Sequence, residues 1–162
     1  MVDYSEILLV LGAVVIFSIA VLNVNQSIAR NDTYLMTSEL EYEAVPLAQQ
    51  VIDEARACSF DEAAVSGMLY NIPSDFTSAG NFGGAGEGES YPAYDDIDDY
   101  HGLSVTDTTQ HGIYTINAHV MYVTESNPEA DAGSKTSYKR LDVSVSSDFL
   151  PDTVRLSYVK AW

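Results

Sequence analysis

Residues 7–24, ILLVLGAVVIFSIAVLNV, form a run of eighteen uncharged residues. No other feature narrows the choice of fold as sharply. As a helix the run spans about 27 Å, close to the ~30 Å hydrocarbon core of a bilayer. A membrane anchor is the simplest role. A cleaved signal sequence fits less well, because the leading MVDYSE is acidic where a signal is basic, and the apolar run exceeds the usual ~7–15 residues. Asp3 and Glu6 precede the run, and Arg30 is the nearest base after it. The positive-inside tendency would then leave the C-terminal part cytoplasmic. A basic leader ahead of Met1, removed on maturation, would reconcile that charge pattern with export.

The helical pattern continues past the apolar run. Leu40, Ala44, Leu47, Ala48, Val51, Ile52 and Ala55 recur in steps of three and four, which predicts an amphipathic helix. Glu39, Glu41, Glu43, Asp53, Glu54 and Arg56 fill the solvent side. Pro46 is expected to bend this helix without ending it, since the periodicity resumes beyond it. Residues 23–27 (NVNQS) and 30–32 (RND) are weak helix formers where local melting is expected. The sum is one rod of about 55 residues at helical spacing, divided into an apolar part (1–30) and an amphipathic part (31–58).

Charge excludes some partners. The formal net charge is −17, from 24 acidic and 7 basic residues, and residues 57–134 contain thirteen acids and no Lys or Arg. Such a surface has no basic cluster to neutralise phosphates, so nucleic acid is excluded as a partner. A salty habitat or bound divalent cations would each screen the self-repulsion. With one cysteine, Cys58, no intrachain disulfide forms. Zinc spacings, phosphate loops and nucleophile motifs are absent, so the reading is not an enzyme and requires no cofactor.

Residues 59–110 read as irregular, with five glycines in SAGNFGGAGEGES (78–90) marking a flexible loop. Three strands follow within 111–162. Tyr114, Ile116, Ala118, Val120 and Tyr122 alternate with polar residues, as do Leu141, Val143 and Val145, and then Val154, Leu156 and Tyr158. Short turn-rich links favour an antiparallel meander whose one apolar face needs a cover. The amphipathic half of the helix is the available cover. The expected fold is α+β: a long N-terminal helix, its hydrophobic half protruding, packed on a small antiparallel sheet.

This arrangement resembles the type IV pilin family, which includes the pseudopilins of type II secretion. Locally, YDDIDDYHGLS (94–104), GIYTINAHVMYV (112–123) and TSYKRLDVSVS (136–146) are similar, in that order, to the tail of prepilin-like proteins of haemagglutinin-type pilus systems. The resemblance implies a subunit held in the inner membrane by its helix, then handed by the assembly machinery into a homopolymeric filament at the cell surface. Glu6, Ile7, Leu8, Leu11, Val14, Val15, Phe17, Ile19, Val21 and Leu22 would form the filament core. Mature pilins usually begin with a methylated Phe and carry Glu at the fifth position, paired with a neighbouring N-terminus. Here the fifth residue is Ser5. Glu6 takes the pairing role if the register is shifted by one; otherwise Asp3 and Glu6 sit at the membrane surface. A minor pilin or secretion pseudopilin, and a membrane-tethered acidic adhesion domain that is calcium-dependent, are the alternative readings.

Other residues carry chemistry of their own. Asp95, Asp96, Asp98 and Asp99 put four carboxylates within five residues. They suit either a solvated face or a Ca²⁺ site, since Ca²⁺ takes six to eight oxygen ligands in flexible acidic loops. His101, His111 and His119 show no converging partners. Cys58 follows the helical stripe and is expected to be a small buried residue. Asn31 opens an NDT sequon, a candidate for modification, and eleven tyrosines suit core and interface packing.

Overall fold

The computed structural model describes residues 3–162. One helix, α1, runs Tyr4–Ala57, with Pro46 inside it and no break. A short helix α2 (Glu62–Val65) and three single 3₁₀ turns (Ala79–Asn81, Gly84–Gly86 and Asp98–Tyr100) lead into strands β1 (Ser104–Thr108), β2 (Ile113–Tyr122), β3 (Tyr138–Ser146) and β4 (Val154–Ala161). The chain divides into two compact units at Glu39/Leu40.

In the first unit, residues 4–39 are helical, and every side chain is exposed except half-buried Thr37. The weak formers at 23–32 stay in the helix rather than melting. Propensity is a weak prior, and adding a turn to an existing helix avoids the cost of a new nucleus. Hydroxyls on this segment fold back onto the preceding turn: Ser18 donates to the Val14 carbonyl at 2.8 Å and Thr33 to that of Ala29 at 3.0 Å.

In the second unit, the amphipathic stripe meets the sheet. Leu40, Ala44, Ala48, Val51, Ile52 and Ala55 are buried, and Leu47 packs at the margin. Three of these six are alanines, small side chains opposite the larger ones of the sheet. The sheet is an antiparallel meander in the order β1-β2-β3-β4. Its register stacks apolar pairs on the face toward the helix: Ile116 opposite Val145, Ala118 opposite Val143, Val120 opposite Leu141. On the next pair of strands, Val143 faces Leu156 and Leu141 faces Tyr158. Burying each large aliphatic side chain of this layer contributes ~1.5–3 kcal/mol. The α+β expectation is thus met.

Two details differ from the sequence reading. β1 lies inside the stretch taken as irregular; its sequence SVTDT shows no apolar alternation because it is an exposed edge strand paired only with β2. The glycine-rich stretch 78–90 carries two 3₁₀ turns rather than running free. Gly84 in it is buried, and a Cβ there would lie 2.7 Å from the Tyr94 ring and 3.1 Å from Asp99 Oδ1. Only a glycine lets the loop approach that closely.

Candidate functional site

The assembly candidates lie together on α1. Glu6, Ile7, Leu8, Leu11, Val14, Val15, Phe17, Ile19, Val21 and Leu22 are helical and exposed, with Leu8 at 69% and Phe17 at 70%. The segment is long and apolar enough to cross a membrane, and none of its most apolar eighteen-residue window is buried within the chain. An apolar surface of this extent in water would be a liability, so it marks contact with lipid or protein. Asn31 lies farther along α1, exposed and helical.

The second candidate is an acidic corner beside the sheet. Of the four aspartates at 95–99, only Asp95 is exposed; Asp96, Asp98 and Asp99 are buried. A solvated acidic face is therefore not what this segment forms. The Asp turn is tied to the chain leaving α1: Ser59 donates its N–H to the Asp95 carbonyl at 2.8 Å, and Ile97 donates to the Ser59 carbonyl at 3.1 Å. Within the turn, Asp96 Oδ1 accepts the backbone N–H groups of Asp98 (2.8 Å) and Asp99 (3.2 Å). Asp99 Oδ2 in turn accepts from the N–H groups of Asp95 and Asp96. These carboxylates fold the turn by replacing water as acceptors for its amides.

Asp98 points elsewhere, to a buried lysine. Lys139 is wholly buried on the inward face of β3, in phase with Leu141, Val143 and Val145. Its Nζ donates to Asp61 Oδ2 at 2.7 Å, to the Phe60 carbonyl at 2.8 Å, and to Asp98 Oδ1. The rings of Phe60, Phe82 and Tyr122 surround the ammonium with centroids at 4.8, 5.1 and 5.5 Å. Asp61 is further held by the Thr77 N–H and by its own helix-capping bond from Ala63 N–H. Lys139 and Asp61 thereby join β3, the Asp turn and the start of α2. Burial raises the Asp98 carboxyl, while Lys139 pulls it back.

Asp96 and Asp99 meet other acids. Ligand atoms of Glu87, Asp96 and Asp99 lie within 4.8 Å of one another, as do those of Glu62, Asp95 and Asp96, and those of Glu89, Asp95 and Asp99. Burial and the neighbouring Asp98 and Asp99 carboxyls push Asp96 up to about 9. Burial, then Asp99 and Glu62, push Glu87 up to about 7. Glu62 and Glu89 are raised as well, burial again first. Asp98 belongs to none of these triads.

The remaining candidates scatter. His101 Nδ1 sits 2.9 Å from the Val120 carbonyl, and its ring lies 4.7 Å from that of exposed His119. His111 lies across the domain, 2.6 Å from Glu43 on α1. Cys58 is half-buried just beyond α1; its thiol reaches the carbonyls of Glu54 and Tyr94, and burial raises its pKa. Sequence reasoning missed Lys139, although its place in the β3 alternation was visible. It also missed Asp61, Glu62, Glu87 and Glu89, which come from segments that only tertiary structure brings to the Asp turn. No family model, curated protein or solved structure matches the chain.

Proposed function

We propose that this chain is a structural subunit of a type IV pilus-like filament. The observation that supports the reading is the uncovered apolar segment of α1, continuous with a segment that is buried against a folded sheet domain. A bilayer and a bundle of like helices demand the same apolar surface. One segment can therefore anchor the subunit in the inner membrane and later pack in the core of a surface fibre. Lipid solvates these side chains before extraction, so the net gain comes from helix packing rather than from removal of water. Glu6, at the start of the apolar run, is the acid placed to meet a neighbouring subunit's N-terminus. A carboxylate carried into an apolar core requires a cationic partner.

The test is negative-stain microscopy of material sheared from cells, with mass spectrometry of any fibres. Fibres made mainly of this chain support a major subunit. Fibres in which it is a trace component point to a minor pilin or a secretion pseudopilin. Absence from fibres, with the chain retained in the membrane fraction, would overturn the filament reading in favour of a tethered adhesion domain.

A further inference from the structure

We propose that Glu87, Asp96 and Asp99 bind one divalent cation of the Ca²⁺ class, with Glu62, Glu89 and Asp95 as the acids beside them, and that this ion clamps the glycine-rich loop to the sheet domain. The proposal is independent of the filament reading. It rests first on convergence: carboxylate oxygens of Glu87, Asp96 and Asp99 lie within 4.8 Å of one another, and two overlapping triads place Glu62, Glu89 and Asp95 beside them. It rests second on a bare oxygen. Asp96 is 0% exposed, its Oδ1 is committed to two backbone N–H groups, and its Oδ2 has no hydrogen-bond partner. Asp96 belongs to two of the three triads. Glu89 Oε2, in the third, is likewise buried and unpartnered. Orphaned carboxylate oxygens of this kind are rare in folded proteins and call for a partner.

Among the described residues, no lysine or arginine supplies that partner. Lys139 is engaged by Asp61, Asp98 and the Phe60 carbonyl. Lys160 donates to the carbonyls of Ala55, Arg56 and Cys58 at the end of α1. The donor set fixes the class of ion. Each triad is composed of carboxylates alone, which suits hard cations rather than zinc or copper. Multiple acids on an irregular loop suit the six to eight oxygens that Ca²⁺ takes at ~2.3–2.6 Å, more than the strict octahedron of Mg²⁺. Gly84 seats the loop against Asp99, so ligation from Glu87 would hold the loop around it in place.

The experiment titrates CaCl₂, and MgCl₂ in parallel, into the full chain in detergent micelles after chelator treatment, in high NaCl, by calorimetry. The expected result is saturable binding of one Ca²⁺ at micromolar to millimolar concentration, a rise in melting temperature and slower proteolysis within 78–90. Asp96→Asn keeps the Oδ1 acceptor and the shape of the side chain. It should fold with an unchanged or higher melting temperature without metal, yet bind Ca²⁺ more than about a hundredfold more weakly, beyond the 10–100-fold typical of outer-shell changes. Glu87→Gln should weaken binding in the same direction and decides the matter if Asp96→Asn fails to fold. Glu129→Gln, on an exposed turn, should bind as the parent does. No saturable heat up to ~10 mM, above the weakest ~10⁻³ M sites of extracellular modules, would overturn the proposal. Equal binding by Asp96→Asn or by Glu87→Gln would do so too.

Discussion

Replacing Lys139 with Met tests the centre of the folded domain. The side chain is 0% exposed, and its removal leaves Asp61 and Asp98 buried without their shared cation. Asp61 keeps the Thr77 and Ala63 N–H groups, whereas the Asp98 carboxylate loses the ion pair that holds it. Removing one partner of a buried pair costs about 3–5 kcal/mol. Met fills the volume of the lysine stem and packs against Phe60, Phe82 and Tyr122, so the loss is electrostatic rather than a cavity. At roughly 3–4 °C per kcal/mol for a unit of this size, the melting temperature should fall by about 10–20 °C. Near-ultraviolet circular dichroism in micelles is the suitable assay, because buried Tyr100, Tyr114 and Tyr122 report on the sheet domain while the exposed apolar helix does not. Lys139→Met combined with Asp98→Asn should recover about half of the loss, as expected for directly coupled residues. A fall below about 3 °C for the single variant, equivalent to ~1 kcal/mol, would refute the claim that this lysine neutralises two buried acids.

Three further perturbations probe other parts of the account. Leu11→Lys, in the exposed apolar run, adds about 2.5–3.5 kcal/mol to membrane insertion; it should shift the chain out of the membrane fraction and abolish fibres, read by fractionation and microscopy. Ala48→Leu overfills the contact between α1 and the sheet, where Ala48 is 0% exposed, and should cost about 1–3 kcal/mol in urea unfolding. Glu43 gives a pH signature: hydrogen bonds from Thr109, then from His111, hold its carboxyl below the ordinary glutamate value. A depressed carboxyl contributes stability that is present above its unfolded value and lost as pH falls through the folded one. Urea midpoints should therefore drop below pH 4.5 more steeply for the parent than for Glu43→Gln, and parallel curves would contradict the link from α1 to the β1–β2 turn.

Periodicity carried most of the architecture. The stripe at 40, 44, 48, 51, 52 and 55 and the alternation of β2, β3 and β4 were legible because each element buries one face. β1 was not, since an exposed edge strand of Ser, Thr and Asp leaves no apolar signature. The acidic corner was half legible. Four aspartates in five residues marked the segment, but composition could not say that Asp98 would turn to Lys139 while Asp96 and Asp99 lay beside Glu87. That division depends on contacts from residue 139, and on glutamates from loops without periodic pattern. Lysines are mostly exposed; the phase of Lys139 with Leu141 and Val143 was the available signal of burial, and phase outweighs residue type when a buried partner waits on the facing segment.

In the filament we propose, the apolar half of α1 polymerises this chain. Helical reconstruction of fibres sheared from the cell surface tests it most directly. The expected result is residues 4–39 packed against equivalent helices along the fibre axis, with the sheet and its acidic corner outside. Fibres whose axis is built from the sheet domain, or fibres that lack this chain altogether, would contradict it.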